Sequence, residues 1–163
     1  MQPPPQSPSS PAVSEIAIAL GRVPSGLFVV AWREGEADRC MLASWVMQAG
    51  FVPPLVSVAI AESRDLMAAI DRGQPFAVSV LAESQRGLLA RFGKPGPDAF
   101  TGLDVHRTAS GLAALADAAA WMECRAATRA PHGDHVVVIA EIVTAGGAGG
   151  EPAVHVRRNG LRY

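Results

Sequence analysis

The residues best suited to ligand chemistry surround a double proline, Pro53-Pro54. Proline has no backbone N–H to donate to a sheet ladder, so we expect the chain to leave a sheet before it and re-enter one after it, giving strand, irregular shelf, strand. Small residues on that shelf would let the backbone approach a flat ligand, and Trp45 or Phe51 could cover its edge. A plain connection in a β-rich domain explains the same pattern, so the residue types leave both interpretations open.

Two basic residues are candidates for holding an anion. Arg64 follows an expected strand and begins an expected helix beside Ser63, where a guanidinium, a hydroxyl and a helix N-terminus would each favour negative charge. Lys94, in the Gly- and Pro-rich stretch 93–97, is the second candidate. The alternative for Arg64 is a solvated arginine at the start of a helix.

The histidines and cysteines do not indicate a metal site. His132 and His135 lack the spacing of a catalytic zinc helix and have no obvious third ligand, so we expect no metal. Cys40 and Cys124 do not form a Cys-x-x-Cys pair, which favours free buried thiols. The sequence also lacks a Gly-x-Ser-x-Gly elbow, a P-loop and a Gly-x-Gly-x-x-Gly turn after a strand.

Several motifs occur together in a fixed order. They are Gly21-Arg22-Val23-Pro24-Ser25-Gly26-Leu27-Phe28, Met41-x-Ala43-Ser44-Trp45-Val46 with Gln48-Ala49, Pro53-Pro54-Leu55-Val56, and Gly133-Asp134-His135. This set resembles the flavin reductase-like family of FMN-binding split barrels, and is most similar to the flavin reductase-like module of cyanobacterial flavodiiron proteins. The resemblance extends from about Ala19 to Tyr163 and implies one split-barrel domain over residues 15–163.

The resemblance also implies which residues contact a flavin. The ring slot would be formed by Met41, Leu42, Ala43, Ser44, Trp45, Gln48 and Ala49. The phosphate and ribityl chain would lie near Ser63, Arg64, Phe92 and Lys94. Phe92 is equally well explained as a core residue, and Arg158 and Tyr163 could either reach the flavin across a dimer interface or belong to a solvated tail. Leu42 stands where many members have Thr and Gly50 where many have Ser, so hydroxyl contacts there are lost.

His135 is the candidate catalytic residue. The matching histidine in reductase members of the family lies close to the flavin and the nicotinamide, which implies that His135 orients the substrate or polarises the flavin ring. A strand-edge histidine paired with a neighbouring carboxylate is the alternative.

The function implied by the resemblance is that of an FMN-binding NAD(P)H:flavin oxidoreductase. As a homodimer it would transfer hydride from NAD(P)H to flavin and pass the electrons to a partner acceptor. FAD could take the place of FMN. One alternative is a non-catalytic flavin-binding electron-transfer module that works with a separate flavodiiron-like protein, and another is a cofactor-free dimeric barrel used for protein interaction.

These residues must be positioned by a mainly β domain. Alternating and β-branched runs predict strands over 27–32, 39–42, 55–60, 75–81, 121–128, 135–143 and 153–157. Helical spacing predicts short helices near 15–21, 64–73 and 84–92. The alanine-rich segment 111–120 has high helix propensity, but the resemblance implies an extended segment and we follow it. The expected fold is an antiparallel, Greek-key type β-barrel with peripheral helices, preceded by a disordered Pro- and Ser-rich tail over residues 1–14.

The charge and hydropathy patterns exclude two partner classes. The 14 basic and 15 acidic residues nearly balance, so a broad basic face for nucleic acid is not expected. No apolar stretch is long enough to cross a bilayer, and the N-terminus has no signal-peptide pattern. We therefore expect a cytoplasmic protein that binds neither nucleic acid nor membrane.

Overall fold

The computed structural model describes residues 15–158, except for the side chain of residue 132. The expected tail over residues 1–14 and the candidate site residue Tyr163 lie outside the described residues. Two compact units share the described chain: residues 25–154 form one, and residues 15–24 together with 155–158 form the other. In the smaller unit, a Cβ at Gly21 would lie 2.7 Å from the carbonyl oxygen of Arg157, so only glycine permits this close approach.

The fold consists of many short strands and a few short helices. The strands are β1 (Ser25–Gly26), β2 (Phe28–Glu34), β3 (Ala37–Ala43), β4 (Val46–Phe51), β5 (Pro54–Ala61), β6 (Phe76–Val80), β7 (Val105–Arg107), β8 (Ala113–Leu115), β9 (Ala120–His132), β10 (His135–Gly146) and β11 (Val154–His155). The helices are α1 (Glu15–Gly21), α2 (Asp65–Asp71) and α3 (Leu89–Gly93), with a 3₁₀ helix at Glu83–Leu88. The prediction of a mainly β fold with short helices is confirmed.

A seven-stranded antiparallel sheet dominates the larger unit. Its strand order is β3-β2-β6-β9-β10-β5-β4, so β3 and β4 are the two edge strands. The β2–β3 hairpin pairs Phe28 with Ala43 and Glu34 with Ala37, and it turns at Gly35 with a φ of 61°. Glycine adopts a positive φ at little cost, so a glycine between two apolar runs is a sequence signal for such a hairpin.

Two hydrophobic clusters pack against opposite faces of β2. Phe28, Val30 and Trp32 belong to the larger cluster, together with the inward-facing residues of β5, β10 and α2. Val29 and Ala31 belong to the smaller cluster, which the segments after β6 cover. Because successive side chains of a strand alternate between faces, a run such as 28–32 that is buried throughout must serve two cores.

Several local expectations need correction. The expected irregular shelf before Pro53 is in fact β4, which pairs with β5 across a tight turn. Pro54 is the first residue of β5, where a missing N–H does little harm to the ladder. The expected helix over 84–92 is a 3₁₀ helix followed by α3, and the last strand is shorter than predicted. The extended course expected for the alanine-rich segment is confirmed by β8 and the turn after it.

None of the helices within residues 15–158 is both long and apolar enough to cross a membrane. The longest α-helices in this range contain seven residues.

Candidate functional site

The Trp45 and His135 rings come together at one end of the sheet. Trp45 lies between β3 and β4, and its carbonyl oxygen accepts a hydrogen bond of 2.9 Å from the backbone N–H of Ala59. His135 begins β10 and pairs with Ala61 on β5. Since Ala59 and Ala61 are alternate residues of one strand, their neighbours Trp45 and His135 share a sheet face. The two ring centroids are 4.8 Å apart, with an interplanar angle of 52°.

The turn before β10 contributes a carboxylate beside this pair. The Nδ1 of His135 lies 2.9 Å from Oδ1 of Asp134. The His135 side chain is only 11% exposed, whereas that of Asp134 is 93% exposed. The hydrogen bond from His135, and then its charge, lower the pKa of the Asp134 carboxyl. The backbone N–H of Glu62 also donates to the carbonyl oxygen of Asp134 at 3.2 Å, which fastens this turn to the end of β5.

Arg64 lies at the same end of the sheet, because it follows the last residue of β5 by only three positions. Its backbone N–H donates to the carbonyl oxygen of Ala61 at 2.9 Å, and Ala61 is the residue that pairs with His135. The Arg64 side chain is exposed, and among the described residues no hydrogen bond or ion pair of its guanidinium is found. Arg64 itself is the N-cap residue of α2, and no side chain caps the helix.

The β3 residues of the predicted ring slot divide between the core and the surface. Met41 and Ala43 are buried in the larger hydrophobic cluster. Leu42 points to the other face and packs, partly buried, against the smaller cluster. Ser44 is half-buried, and Trp45 is 43% exposed. Ser44 and Trp45, which follow β3, are therefore the side chains best placed to meet a ligand, and the buried Met41 and Ala43 belong to the core.

Gln48 and Ala49 are exposed residues of the edge strand β4, at a register irregularity. Phe51 is 90% exposed and lies at the end of β4 away from Trp45. The expectation that Phe51 could cover the same site edge as Trp45 is therefore wrong for residues of one molecule, because the length of β4 separates them.

The remaining predicted site residues lie apart from Trp45 and His135 in the chain. Phe92 is fully buried and its ring centroid is 5.4 Å from that of Phe100, which corresponds to the core alternative. Lys94 is exposed just after α3. Arg158 is exposed and belongs to the smaller compact unit. Tyr163 is outside the described residues.

The sequence patterns did not predict a polar network around Glu123. Glu123 on β9 is only 2% exposed, and it accepts a hydrogen bond of 2.6 Å from the Ser110 hydroxyl. Burial raises the pKa of this carboxyl, but hydrogen bonds from Ser110 and Thr108 and the charge of Arg125 together leave the pKa lowered. The available signal was a glutamate in the predicted strand 121–128, two residues after Trp121 and therefore on the same face of the strand.

A separate cleft of about 470 Å³ lies near the start of β3. Arg107 donates to both carboxylate oxygens of Asp38, at 2.6 and 2.7 Å, and Arg39 donates to Glu34 at 2.8 Å. Both arginines that line the cleft thus already have carboxylate partners. The cleft also lies at the end of β3 opposite to Ala43 and Trp45, so it is distinct from the site described above.

Comparison with known proteins identifies what this architecture is. Two solved structures share the fold with a TM-score of 0.77. One is an NADH:FAD oxidoreductase of Streptomyces globisporus in complex with NAD and FAD fragments, 27% identical, with coverage of 88% of this chain and 90% of that one. The other is the styrene monooxygenase flavin reductase of Pseudomonas putida, 25% identical, with coverage of 92% and 99%. The split-barrel prediction is confirmed.

Sequence relatives agree with the structural ones. The chain is 35% identical over 157 residues to diflavin flavoprotein A 1 of a Synechocystis species. The match covers 92% of this chain and 27% of that protein, so the chain spans about a quarter of the relative's length. Residues 20–160 match the family model described as the flavin reductase like domain. This protein therefore belongs to the flavin reductase like domain family.

Proposed function

We propose that this protein binds FMN at the sheet end where Trp45, His135 and Arg64 lie, and that it transfers hydride from NADH or NADPH to the flavin. The observation that carries the proposal is the close approach of the Trp45 and His135 rings, 4.8 Å apart, beside the turn that presents Arg64. The family membership supports flavin as the ligand.

The residues present fit the chemical needs of a flavin. The ligand needs a flat apolar surface for its ring and a cation for its phosphate. Trp45 offers a partly exposed aromatic ring, and Arg64 offers an exposed guanidinium without a partner among the described residues. When bound, the flavin would supply an acceptor for hydride at its N5 atom, with a proton from solvent completing the two-electron reduction.

The side chains would act by binding, orienting and excluding water. Arg64 would pair with the phosphate, and a planar guanidinium can do so with two hydrogen bonds. Trp45 would cover one side of the ring slot and exclude water from it. His135 would orient the nicotinamide, since a hydride acceptor and donor must be held in a near-attack geometry. Leu42 and Gly50 supply no hydroxyl, so backbone groups near Ser44 would contact the ring edge instead.

FAD is the second possible flavin, because one relative of known structure is an NADH:FAD oxidoreductase. Arg64 would contact the phosphate of either molecule.

The test begins with the absorption spectrum of the purified protein, followed by titration with FMN, FAD and riboflavin. Oxidation of NADH and of NADPH is then measured with and without added flavin. We expect tighter binding of FMN than of riboflavin and turnover with at least one nucleotide. A protein that binds flavin but turns over with neither nucleotide would contradict the hydride-transfer part, and a protein that binds no flavin would contradict the whole proposal.

A non-catalytic electron-transfer module is the second candidate function. The chain matches only 27% of the length of a diflavin flavoprotein, so in that relative most of the protein lies outside the matched region. On this hypothesis the chain would accept electrons from, or deliver them to, a separate flavodiiron-like protein. Flavin binding without nucleotide oxidation, together with electron exchange with such a protein, would favour it.

We also propose that two copies pair. Phe51 is 90% exposed and Val52 is 97% exposed, side by side at the tip of the β4–β5 hairpin, and contiguous exposed apolar surface is a mark of an interaction site. Sedimentation equilibrium should give twice the chain mass of 17.0 kDa. Phe51→Ser with Val52→Ser should shift the protein toward monomer, whereas Val154→Ser, a matched exposed valine elsewhere, should leave the mass unchanged.

A further inference from the structure

We propose that Asp134 is a positioning residue that holds His135 in the tautomer with its proton on Nδ1 and fixes the plane of its ring. The inference rests on the proposed function only for its catalytic consequence. The tautomer itself is a property of the protein without flavin or nucleotide.

The donor and acceptor types determine the tautomer. A carboxylate can only accept hydrogen bonds, so the 2.9 Å contact between Asp134 Oδ1 and His135 Nδ1 requires a proton on Nδ1. In a neutral imidazole only one ring nitrogen carries a proton, so Nε2 then has the lone pair. A hydrogen bond at one ring nitrogen thus decides the chemistry of the other, as the partners of metal-bound histidines do.

The backbone of the turn holds the carboxylate in place. Gly133 has a φ of 74°, a conformation that glycine adopts without strain, and it directs the chain into β10. The carbonyl oxygen of Asp134 accepts a hydrogen bond of 3.2 Å from the Glu62 backbone N–H. Asp134 is therefore anchored at its main chain although its side chain is 93% exposed. An aspartate side chain has few rotatable bonds, so little conformational entropy opposes the contact.

Trp45 restricts the ring at a second point. Its centroid is 4.8 Å from that of His135, and the His135 side chain is only 11% exposed. An imidazole with a polar contact at Nδ1 and an aromatic contact against its ring has little freedom about its two side-chain torsions. The carboxylate and the indole together set the direction of Nε2.

Two substitutions separate the hydrogen bond from the charge. Asp134→Asn keeps an oxygen that accepts from Nδ1–H but removes the negative charge, whereas Asp134→Ala removes both. Asp117→Ala is the matched control, because Asp117 is an exposed aspartate that precedes β9.

Nuclear magnetic resonance of the flavin-free chain labelled with ¹⁵N on histidine reports the tautomer directly. The sequence contains only four histidines, and His135→Gln identifies the His135 signals. We expect the Nδ1–H tautomer in the unmodified protein, in Asp134→Asn and in Asp117→Ala, and a mixture of both tautomers in Asp134→Ala. An Nε2–H tautomer in the unmodified protein, or no change in Asp134→Ala, would overturn the inference.

Flavin reduction under saturating nucleotide gives the catalytic consequence. We expect Asp134→Ala to lower the maximal rate about 5- to 20-fold, which is less than the loss of an acid–base group itself because the imidazole remains, with little change in flavin affinity. Asp134→Asn should recover most of the rate. If the unmodified protein oxidises neither nucleotide, the proposed function fails while the tautomer result still decides the role of Asp134. A normal rate in Asp134→Ala despite an altered tautomer would also overturn the positioning role.

Discussion

Asp134 and Glu123 are both carboxylates that accept a hydrogen bond from a neighbouring side chain, but they lie in opposite surroundings. Asp134 is 93% exposed and accepts from His135 at 2.9 Å. Glu123 is 2% exposed and accepts from the Ser110 hydroxyl at 2.6 Å, with a weaker contact of 3.4 Å from the Ser110 backbone N–H. The first carboxylate adjoins the proposed site, and the second joins a loop to the sheet.

The difference shows how one residue type can serve function in one place and stability in another. A buried carboxylate must have its lone pairs satisfied, because an unpaired buried charge costs several kcal/mol. Glu123 meets this need through Ser110 and Thr108, and Thr108 in turn accepts from the Leu112 backbone N–H at 3.2 Å. An exposed carboxylate is hydrated in any case, so Asp134 can orient His135 with little consequence for folding.

The largest expected effect comes from breaking the buried network. Glu123→Ala would leave the Ser110 and Thr108 hydroxyls without their acceptor and would leave a cavity where the buried side chain lay. We therefore expect a loss of about 3 kcal/mol in the free energy of unfolding. Urea denaturation measures the loss. Glu141→Ala, an exposed glutamate on the neighbouring strand β10, should change the free energy by less than about 0.5 kcal/mol. Equal losses in the two variants would remove the distinction between the two carboxylates.

The second prediction concerns the exposed end of the sheet. His135→Gln should lower the maximal rate of flavin reduction by NADH or NADPH about 10- to 100-fold, because the amide cannot reproduce the orientation and basicity of the imidazole. The midpoint of thermal unfolding should change little, since the His135 ring, at the first residue of β10, belongs to neither hydrophobic cluster. Rapid-mixing measurements of flavin reduction test the rate. An unchanged rate would leave His135 as an ordinary strand-edge residue.

Local patterns made much of the fold predictable. The β2–β3 hairpin follows from two apolar runs around Gly35, and β10 follows from the β-branched residues after His135. β4 was missed because its Gln48, Ala49 and Gly50 have no strand pattern of their own. β4 forms because its backbone hydrogen-bonds to β5, and this pairing depends on the tertiary structure and not on the local sequence.

The polar contacts of the molecule were only partly predictable from the sequence. The residues of the Gly133-Asp134-His135 turn are adjacent in sequence, and its contact with Trp45 depends only on neighbouring strands of one sheet. The Glu123–Ser110 contact instead joins residues 13 positions apart through a loop, which no periodicity reports. Phe92 illustrates the same limit, because a motif cannot say whether an aromatic residue of a short helix faces a ligand or the core.

The third prediction tests whether the exposed end of the sheet holds a phosphate. Arg64→Ala should weaken FMN binding about 10-fold, the effect of losing a charge-assisted hydrogen bond, while riboflavin binding stays the same because riboflavin has no phosphate. Fluorescence titration with both flavins measures this. Arg72→Ala is the matched control, since Arg72 lies at the other end of α2 and contacts Gln74. Equal weakening of riboflavin and FMN would show that Arg64 supports the fold and not the phosphate.

The smallest expected effect is on the pH dependence of stability. Burial raises the pKa of Glu123, but the hydrogen bonds from Ser110 and Thr108 and the charge of Arg125 leave that pKa below the usual range of a glutamate carboxyl in the folded protein. A carboxyl with a lowered folded-state pKa contributes stability above its unfolded pKa, and this contribution is lost as the pH falls through the folded-state value. Ser110→Ala removes one hydrogen bond to the carboxylate, so we expect a loss of about 1 kcal/mol at pH 7 that shrinks as the pH falls below about 4.

Urea denaturation of Ser110→Ala and of the unmodified protein between neutral and acid pH measures this difference. Asp134 provides the contrasting case: its pKa is also lowered, by the hydrogen bond and charge of His135, but its carboxylate is exposed. Solvent screens an exposed pair, so Asp134→Ala should leave the unfolding free energy, and its dependence on pH, close to those of the unmodified protein. A loss in Ser110→Ala that stays constant down to acid pH would show that Ser110 acts through packing and not through the charge of Glu123.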